Sequence, residues 1–389
     1  MNLTLTRGAD ERGRPCFDVY RGATFRLDER GAATLLDDDY APVDAIELYD
    51  DVLYPGVYRP SLLRRDRDLQ PRRRGTDVVV QGIWRAAEGR PVREAICALE
   101  CRGAASFTQA IHIFGDRWVE RGRAGPRFSA PEPVTEVPIR YDRAYGGTDE
   151  AAAARRPDPL EEALRGLVDD ATFLEFSTYS YPRNHAGRGY LVDREGLLGA
   201  PLPNLEWRGE ELGVDDLIAP LDAWGRRPLP AAFDWYNHAW FPRVAFFDDP
   251  PPTAAMRAPS RELELGIVDP EIMVRAPLER PCDAFFQGAH PLLWRHRLRG
   301  DERIDVSGMS PDGRPTTALL PRLRPEIDVH IDGRPLGCRR ALLDLVLLDT
   351  ETATLTLLWR ARFPIADAAL ALCPTLDAKL DARWIDCDH

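Results

Sequence analysis

Short runs in which apolar and polar residues alternate dominate both ends of the chain, and their period is two rather than 3.6. In the first part, residues 78–80 (VVV), 96–99 (ICAL) and 110–114 (AIHIF) are short apolar or alternating runs, with turn signals at 88–91 (EGRP) and 114–118 (FGDRW). From residue 261 onward the same grammar returns. Residues 303–306, 326–331, 343–348 and 353–360 read as strands, with PDGR at 311–314 and DGR at 332–334 as tight turns. VQG at 80–82 leading to EGRP is echoed by VSG at 306–308 leading to DGRP at 312–315. Shared hairpin chemistry explains that likeness better than a duplicated unit does.

Helical periodicity is sparse. Residues 158–170 (DPLEEALRGLVDD) place Leu160, Leu164 and Leu167 on one face, with Pro159 suited to a first turn. Residues 377–384 read as a short helix near the end. The Arg/Pro-rich stretch 64–74 reads as an exposed loop, and 248–260, with three consecutive prolines, as a boundary. The pattern predicts a mainly β fold: two β-rich, sandwich-like units at 1–139 and 261–389, few short helices, and a long irregular insertion at 140–260 rich in aromatic residues, Gly and Pro.

Composition narrows the classes of function. At 389 residues and 44% hydrophobic, the chain has material for two or three cored domains. It shows no run of eighteen apolar residues and no basic start followed by an apolar core, so a cytoplasmic protein without membrane contact is expected. A net charge of -12 argues against a nucleic-acid partner. Lys379 is the only lysine, so cationic contacts rest on arginine, which suits planar recognition of protein groups. The seven cysteines (Cys16, Cys97, Cys101, Cys282, Cys338, Cys373 and Cys387) are odd in number and form no CxxC pair. Buried thiols explain them better than disulfides or a zinc ribbon.

Candidate chemistry is thin. There is no GxSxG elbow, no HExxH and no Walker lysine. Glu206 and Asp234 are the best paired carboxylates for a carbohydrate-active hydrolase, and His238 could join Asp234 at a metal; a capping, arginine-holding or packing role is the simpler reading of each. His290 and His296 flank Trp294 and read as packed residues. No catalytic residue, metal, cofactor or small-molecule substrate is therefore expected. Recognition elements stand out more. Trp118, Trp207, Trp224, Trp235, Trp240 and Trp294 accompany many arginines, and two or three of these tryptophans are expected at the surface.

Unusual local sequences crowd residues 140–234: RYDRAYGG at 140–147, NHAGRGY at 184–190, LPNLE at 202–206, and WGRRPLP at 224–230 leading to Phe233 and Asp234. Such a segment builds a specified surface on a regular scaffold. The residues singled out are Asp116, Arg117, Trp118, Arg143, Tyr145, Gly146, Gly147, Asn184, Gly187, Gly189, Pro203, Asn204, Glu206, Trp224, Arg227 and Asp234. The glycines read as positive-φ positions, and Arg143 as the partner of a buried carboxylate.

With GDRW at 115–118, LRGDE at 298–302, 309–313, LP at 320–321, DT at 349–350 and WR at 359–360, this ordered set resembles the bacterial family catalogued as domain of unknown function 2169. His185 stands where that family usually has proline. The resemblance covers nearly the whole chain. It implies an accessory protein of type VI secretion: an effector adaptor or chaperone that binds a secreted effector or a PAAR-like tip protein and helps load it onto the VgrG spike. Two other readings stay open. One is the Glu206/Asp234 hydrolase, which needs both carboxylates in one open cleft roughly 5–9.5 Å apart. The other is a permanent part of a contractile injection apparatus.

Overall fold

A computed structural model describes residues 2–10, 14–37, 40–49, 62–70, 73–155, 179–181, 183–218, 229–236, 286–294, 296–365 and 377–386. Its architecture is mainly β. The two ends of the chain meet in one sheet, ordered Leu3–Ala9, Pro15–Leu27, Thr354–Pro364, Leu342–Asp349, Asp77–Gln81, with Ala33–Asp37 added to Pro15–Leu27. Pro15–Leu27 and Thr354–Pro364 pair antiparallel from Cys16↔Pro364 to Arg26↔Thr354. Leu342–Asp349 and Asp77–Gln81 run parallel. The central strands read LLDLVLLD and TLTLLWRARFP and are buried on both faces, the pattern expected where neither face meets water.

A second sheet is ordered Leu205–Trp207, Phe107–Phe114, Glu94–Arg102, Arg303–Val306, Thr316–Leu319. Here the alternation is clean: Cys97, Leu99 and Cys101 point into the core, while Ile96, Ala98 and Glu100 are more exposed. The β-rich stretches 1–139 and 261–389 thus share both large sheets, and residues 205–207 draw the irregular stretch into the second. A third sheet pairs Leu323–Ile331 with Arg334–Arg340 on one side and Ala378–Asp386 on the other.

Most predicted strands are present, and the predicted tight turns carry positive φ at Gly313, Asp332 and Gly333. Two expectations are corrected. Residues 377–384 are not helical but belong to the strand Ala378–Asp386, whose outward residues alternate and pair with Leu323–Ile331. The stretch 64–74 is not an exposed loop: Asp66, Asp68, Gln70 and Arg73 are buried. Its arginines are retained there by ion pairs, Arg65 with Asp68 at 2.9 Å and Arg73 with Asp77 at 3.2 Å. The predicted helix 158–170 and the boundary 248–260 lie outside the described residues. Among those described, the α-helix is Glu150–Arg155, and no helix is long and apolar enough to cross a membrane.

Charged residues on buried strands fasten the sheet centre. Arg360 reaches Asp344 at 2.6 Å and Asp18 at 3.5 Å. Asp344 also takes Arg297 at 2.6 Å, and Asp18 takes Arg362 at 2.8 Å. Burial opposes the charge of Arg360, but Asp344 and Asp18 outweigh it and raise its pKa. Burial likewise works against the Asp344 anion, and Arg360 and Arg297 outweigh it, holding the carboxyl below its ordinary range. Cys16, Cys97 and Cys101 are buried free thiols, as composition suggests, but Cys338, on the third sheet's strand Arg334–Arg340, is a free thiol exposed to solvent, against that expectation. Burial pushes Cys97 up to about 12, which leaves it protonated and inert.

Candidate recognition site

The motif residues of 116–206 come together as a cage of backbone and short side chains. Asn184 sits at its centre, fully buried. Its Nδ2 donates to the carbonyls of Tyr141 (2.8 Å) and Tyr145 (3.0 Å), and its own carbonyl accepts from Gly147 N at 2.8 Å. Around it, Tyr145–Gly146 and Arg188–Gly189 pair in parallel. Gly146, Gly147 and Gly189 take the expected positive φ, whereas Gly187 does not and is required instead by close packing, a Cβ there standing 2.6 Å from the Ala144 carbonyl oxygen. Gly146 has φ +148, and a Cβ there would stand 2.1 Å from the Asn184 carbonyl oxygen; at Gly147, φ +93, it would stand 2.4 Å from that of Gly187. Two backbones approach here as closely as they can without side chains. Gly146→Ala is expected to cost ~2–4 kcal/mol through strain and displaced backbone, which urea unfolding would measure. An unchanged midpoint would contradict this close approach.

Asn204 repeats the device at the neighbouring strand end. Its Nδ2 donates to the Phe114 carbonyl (3.2 Å) and to Asp116 Oδ1 (3.0 Å), while Asn204 N donates to the Arg143 carbonyl at 2.8 Å. Arg143 finds its carboxylate in its own neighbour, Asp142, at 3.3 Å. The Tyr145 hydroxyl donates to the carbonyls of Asp216 and Leu217, both at 3.1 Å.

Glu206 faces inward on Leu205–Trp207 and is only 4% exposed. It forms an ion pair with Arg117 and accepts from Leu212 N at 2.9 Å. Arg117 also donates to the Pro203 carbonyl at 3.2 Å and lies over the Phe114 ring, 3.6 Å from its centroid. Burial raises the Glu206 carboxyl above its ordinary range against the pull of Arg117 and the Leu212 N–H. Asp234 is 1% exposed and belongs to a different set of hydrogen bonds. It accepts from Gln81 Nε2 (2.9 Å), Tyr49 Oη (2.9 Å) and Trp235 N (2.8 Å). Neither carboxylate reaches open solvent, so the pair does not line the cleft that glycoside hydrolysis requires.

What the cage presents outward is a concave surface. A cavity of about 530 Å³ is lined by Gly146, Gly147, Gly187, Gly189, Gly199 and Leu198, among others. Thr148 on its wall bonds Ser180 at 2.8 Å, and both Asp149 carboxylate oxygens serve backbone N–H groups of Ala152 and Val192. Leu198, 50% exposed, is part of its lining, and Trp118, 40% exposed, is bridged through its backbone to the lining residue Pro201.

Of the six tryptophans singled out, Trp118 is exposed, Trp207 and Trp235 are buried, and Trp294 is half-buried. Trp224, Arg227, His238 and Trp240 lie outside the described residues. His290 is buried against Trp207, with ring centroids 4.7 Å apart, as its packed reading expects. Sequence reasoning missed Leu198 and Asp149. Leu198 is one leucine among many, and nothing local marks it as exposed. Asp149 had a usable signal, since an acidic residue directly before a helical run is a cap.

Fold and site together define a β-rich protein in which signature residues hold a shaped surface from beneath. Residues 12–360 match the family described as "Uncharacterized protein conserved in bacteria (DUF2169)", and the chain belongs to that family. No curated protein and no solved structure is significantly similar to it.

Proposed function

We propose that this chain is a non-enzymatic adaptor or chaperone of type VI secretion. In this reading it binds a secreted effector or a PAAR-like tip protein in the bacterial cytoplasm and assists loading onto the VgrG spike. One observation supports it above the rest: Asn184, Asn204, Arg117 and Glu206 are spent inward, on fixing backbone, while outward there is a concavity lined by Leu198, with the exposed Trp118 bridged to its lining residue Pro201. An exposed tryptophan is among the favoured anchors of protein interfaces, with neighbouring apolar side chains such as Leu198 excluding water around it. An adaptor needs a rigid, shaped surface, because a preorganised site loses less entropy on binding. The adaptor assignment itself comes from the family resemblance.

Co-purification of the tagged chain with the effector and PAAR-like proteins of its own gene cluster tests this. Trp118→Ala is expected to weaken the captured complex by about 2 kcal/mol, roughly thirtyfold in Kd, measured at a temperature where thermal unfolding shows both proteins fully folded, since the side chain is only 40% exposed. Failure to retain any of these proteins would count against the proposal. Stoichiometric presence in assembled particles after effector deletion would favour a permanent structural part instead.

A further inference from the structure

The buried carboxylates of this protein are not all treated alike. Asp18, Asp68, Asp77, Asp344 and Glu206 each have an arginine within 4 Å. Asp149, Glu302 and Asp234, equally buried, accept from neutral donors alone among the described residues, and Asp234 differs from the other two in using side-chain donors, the Gln81 amide and the Tyr49 hydroxyl, beside the Trp235 N–H. Asp234 also stands at a junction. Gln81 ends Asp77–Gln81, the outermost strand of the six-stranded sheet, and its Nε2 also donates to the Arg64 carbonyl at 2.6 Å. Arg64 lies in Leu63–Arg65, which pairs with Glu47–Leu48, while Tyr49 N donates to the Leu62 carbonyl. Val80 N bonds the Phe233 carbonyl. One carboxyl group therefore ties a small hairpin and residues 233–235 to a sheet edge.

We infer that Asp234 is a proton-operated latch, whose protonation state sets how firmly the hairpin formed by Glu47–Leu48 and Leu63–Arg65 is held against that sheet edge. The neutral acid fits the site: Oδ2 can donate its proton to the Tyr49 oxygen while Oδ1 keeps the Gln81 and Trp235 bonds. The anion stays buried with no counter-ion in contact among the described residues. The charged and titratable groups facing it are Tyr49 and, at longer range, Arg140, whose guanidinium lies over the Tyr49 ring at 4.7 Å; Arg64 acts on Tyr49 from the hairpin. Burial raises the Asp234 carboxyl to about 7, with Gln81, Trp235, Tyr49 and Arg140 pulling the other way.

The sign follows from linkage. Below the ordinary value of 3.8, closed and open forms both hold the proton. Between that value and about 7, the open form releases a proton that the closed form keeps, so closure weakens steadily with rising pH. Above that range the penalty is constant. The latch is therefore tight in mild acid and loosest in mild alkali, opposite to an arginine-paired aspartate such as Asp344.

Hydrogen–deuterium exchange of the full chain, divided by intrinsic exchange rates, tests this. Protection of the Tyr49 and Trp235 amides is expected to fall roughly fiftyfold between about pH 5 and pH 7 and to level off above about pH 8. The amides of Leu357 and Leu358 in the sheet centre should not follow. Asp234→Asn reproduces the donor and acceptor pattern of the neutral acid and should flatten the profile. A flat wild-type profile, parallel loss at Leu357 and Leu358, or an undiminished slope in Asp234→Asn would overturn the latch. The wild-type comparison decides the matter even if the variant fails to fold.

Discussion

Arg360→Met should destabilise the protein by ~3–5 kcal/mol, because it strips charge from a site whose anions stay behind. Asp344 would keep only Arg297, which is itself a quarter exposed, and Asp18 would keep Arg362. The lost group also donates to the Arg73 carbonyl at 3.3 Å, which would keep Arg297 as its donor. The pair joins Leu342–Asp349 to Thr354–Pro364 and, through Asp18, to Pro15–Leu27, so both ends of the chain feel the loss. Chemical denaturation measures it, and a change below about 1 kcal/mol would show that the network is not essential. The pH dependence has a definite sign. The folded-state carboxyl of Asp344 lies below its ordinary value of 3.8, so its contribution is complete above that value and is lost as pH falls through the depressed one. Arg360→Met should remove part of that acid-side slope.

Arg117→Met should cost a similar ~3–5 kcal/mol for the same physical reason. Glu206 is buried, and after the loss of Arg117 it would hold only the Leu212 N–H among its described partners. Arg117→Met/Glu206→Leu is expected to recover most of the loss, since replacing a buried pair with apolar groups of similar size is often nearly neutral. Thermal unfolding of the two single variants and the double variant closes the cycle. If Glu206→Gln instead left folding intact and abolished a measurable glycosidase activity, the structural role given to Glu206 would be wrong.

Much of the fold was legible because β periodicity survives wherever one sheet face meets water. Residues 303–306 announce themselves by alternation, and 96–99 by an apolar run that lies within Glu94–Arg102. Strand pairing was not legible. The contact of Pro15–Leu27 with Thr354–Pro364 spans most of the chain, and no local pattern encodes a partner at that distance. The stretch 64–74 misled for a related reason: arginine and aspartate are usually exposed, and only their tertiary pairing lets them be buried. Residues 377–384 combine a plausible helical spacing with a strand alternation, and pairing to Leu323–Ile331 decides between them. At the site, Gly146, Gly147, Asn184 and Asn204 could be singled out because rare backbone demands leave rare residue combinations. The outward-facing anchors Trp118 and Leu198 could not be told from core residues, since exposure belongs to the assembled surface.

The most direct test of the proposed recognition surface is a binding titration of the purified chain against the PAAR-like protein or effector of its own gene cluster. Wild type should be compared with Trp118→Ala and Leu198→Ser, with stability matched by thermal unfolding. The account predicts tight binding by the wild type and at least tenfold weaker binding by each variant at unchanged stability. Equal affinity in all three proteins would contradict it, and so would the absence of binding to any protein of the cluster.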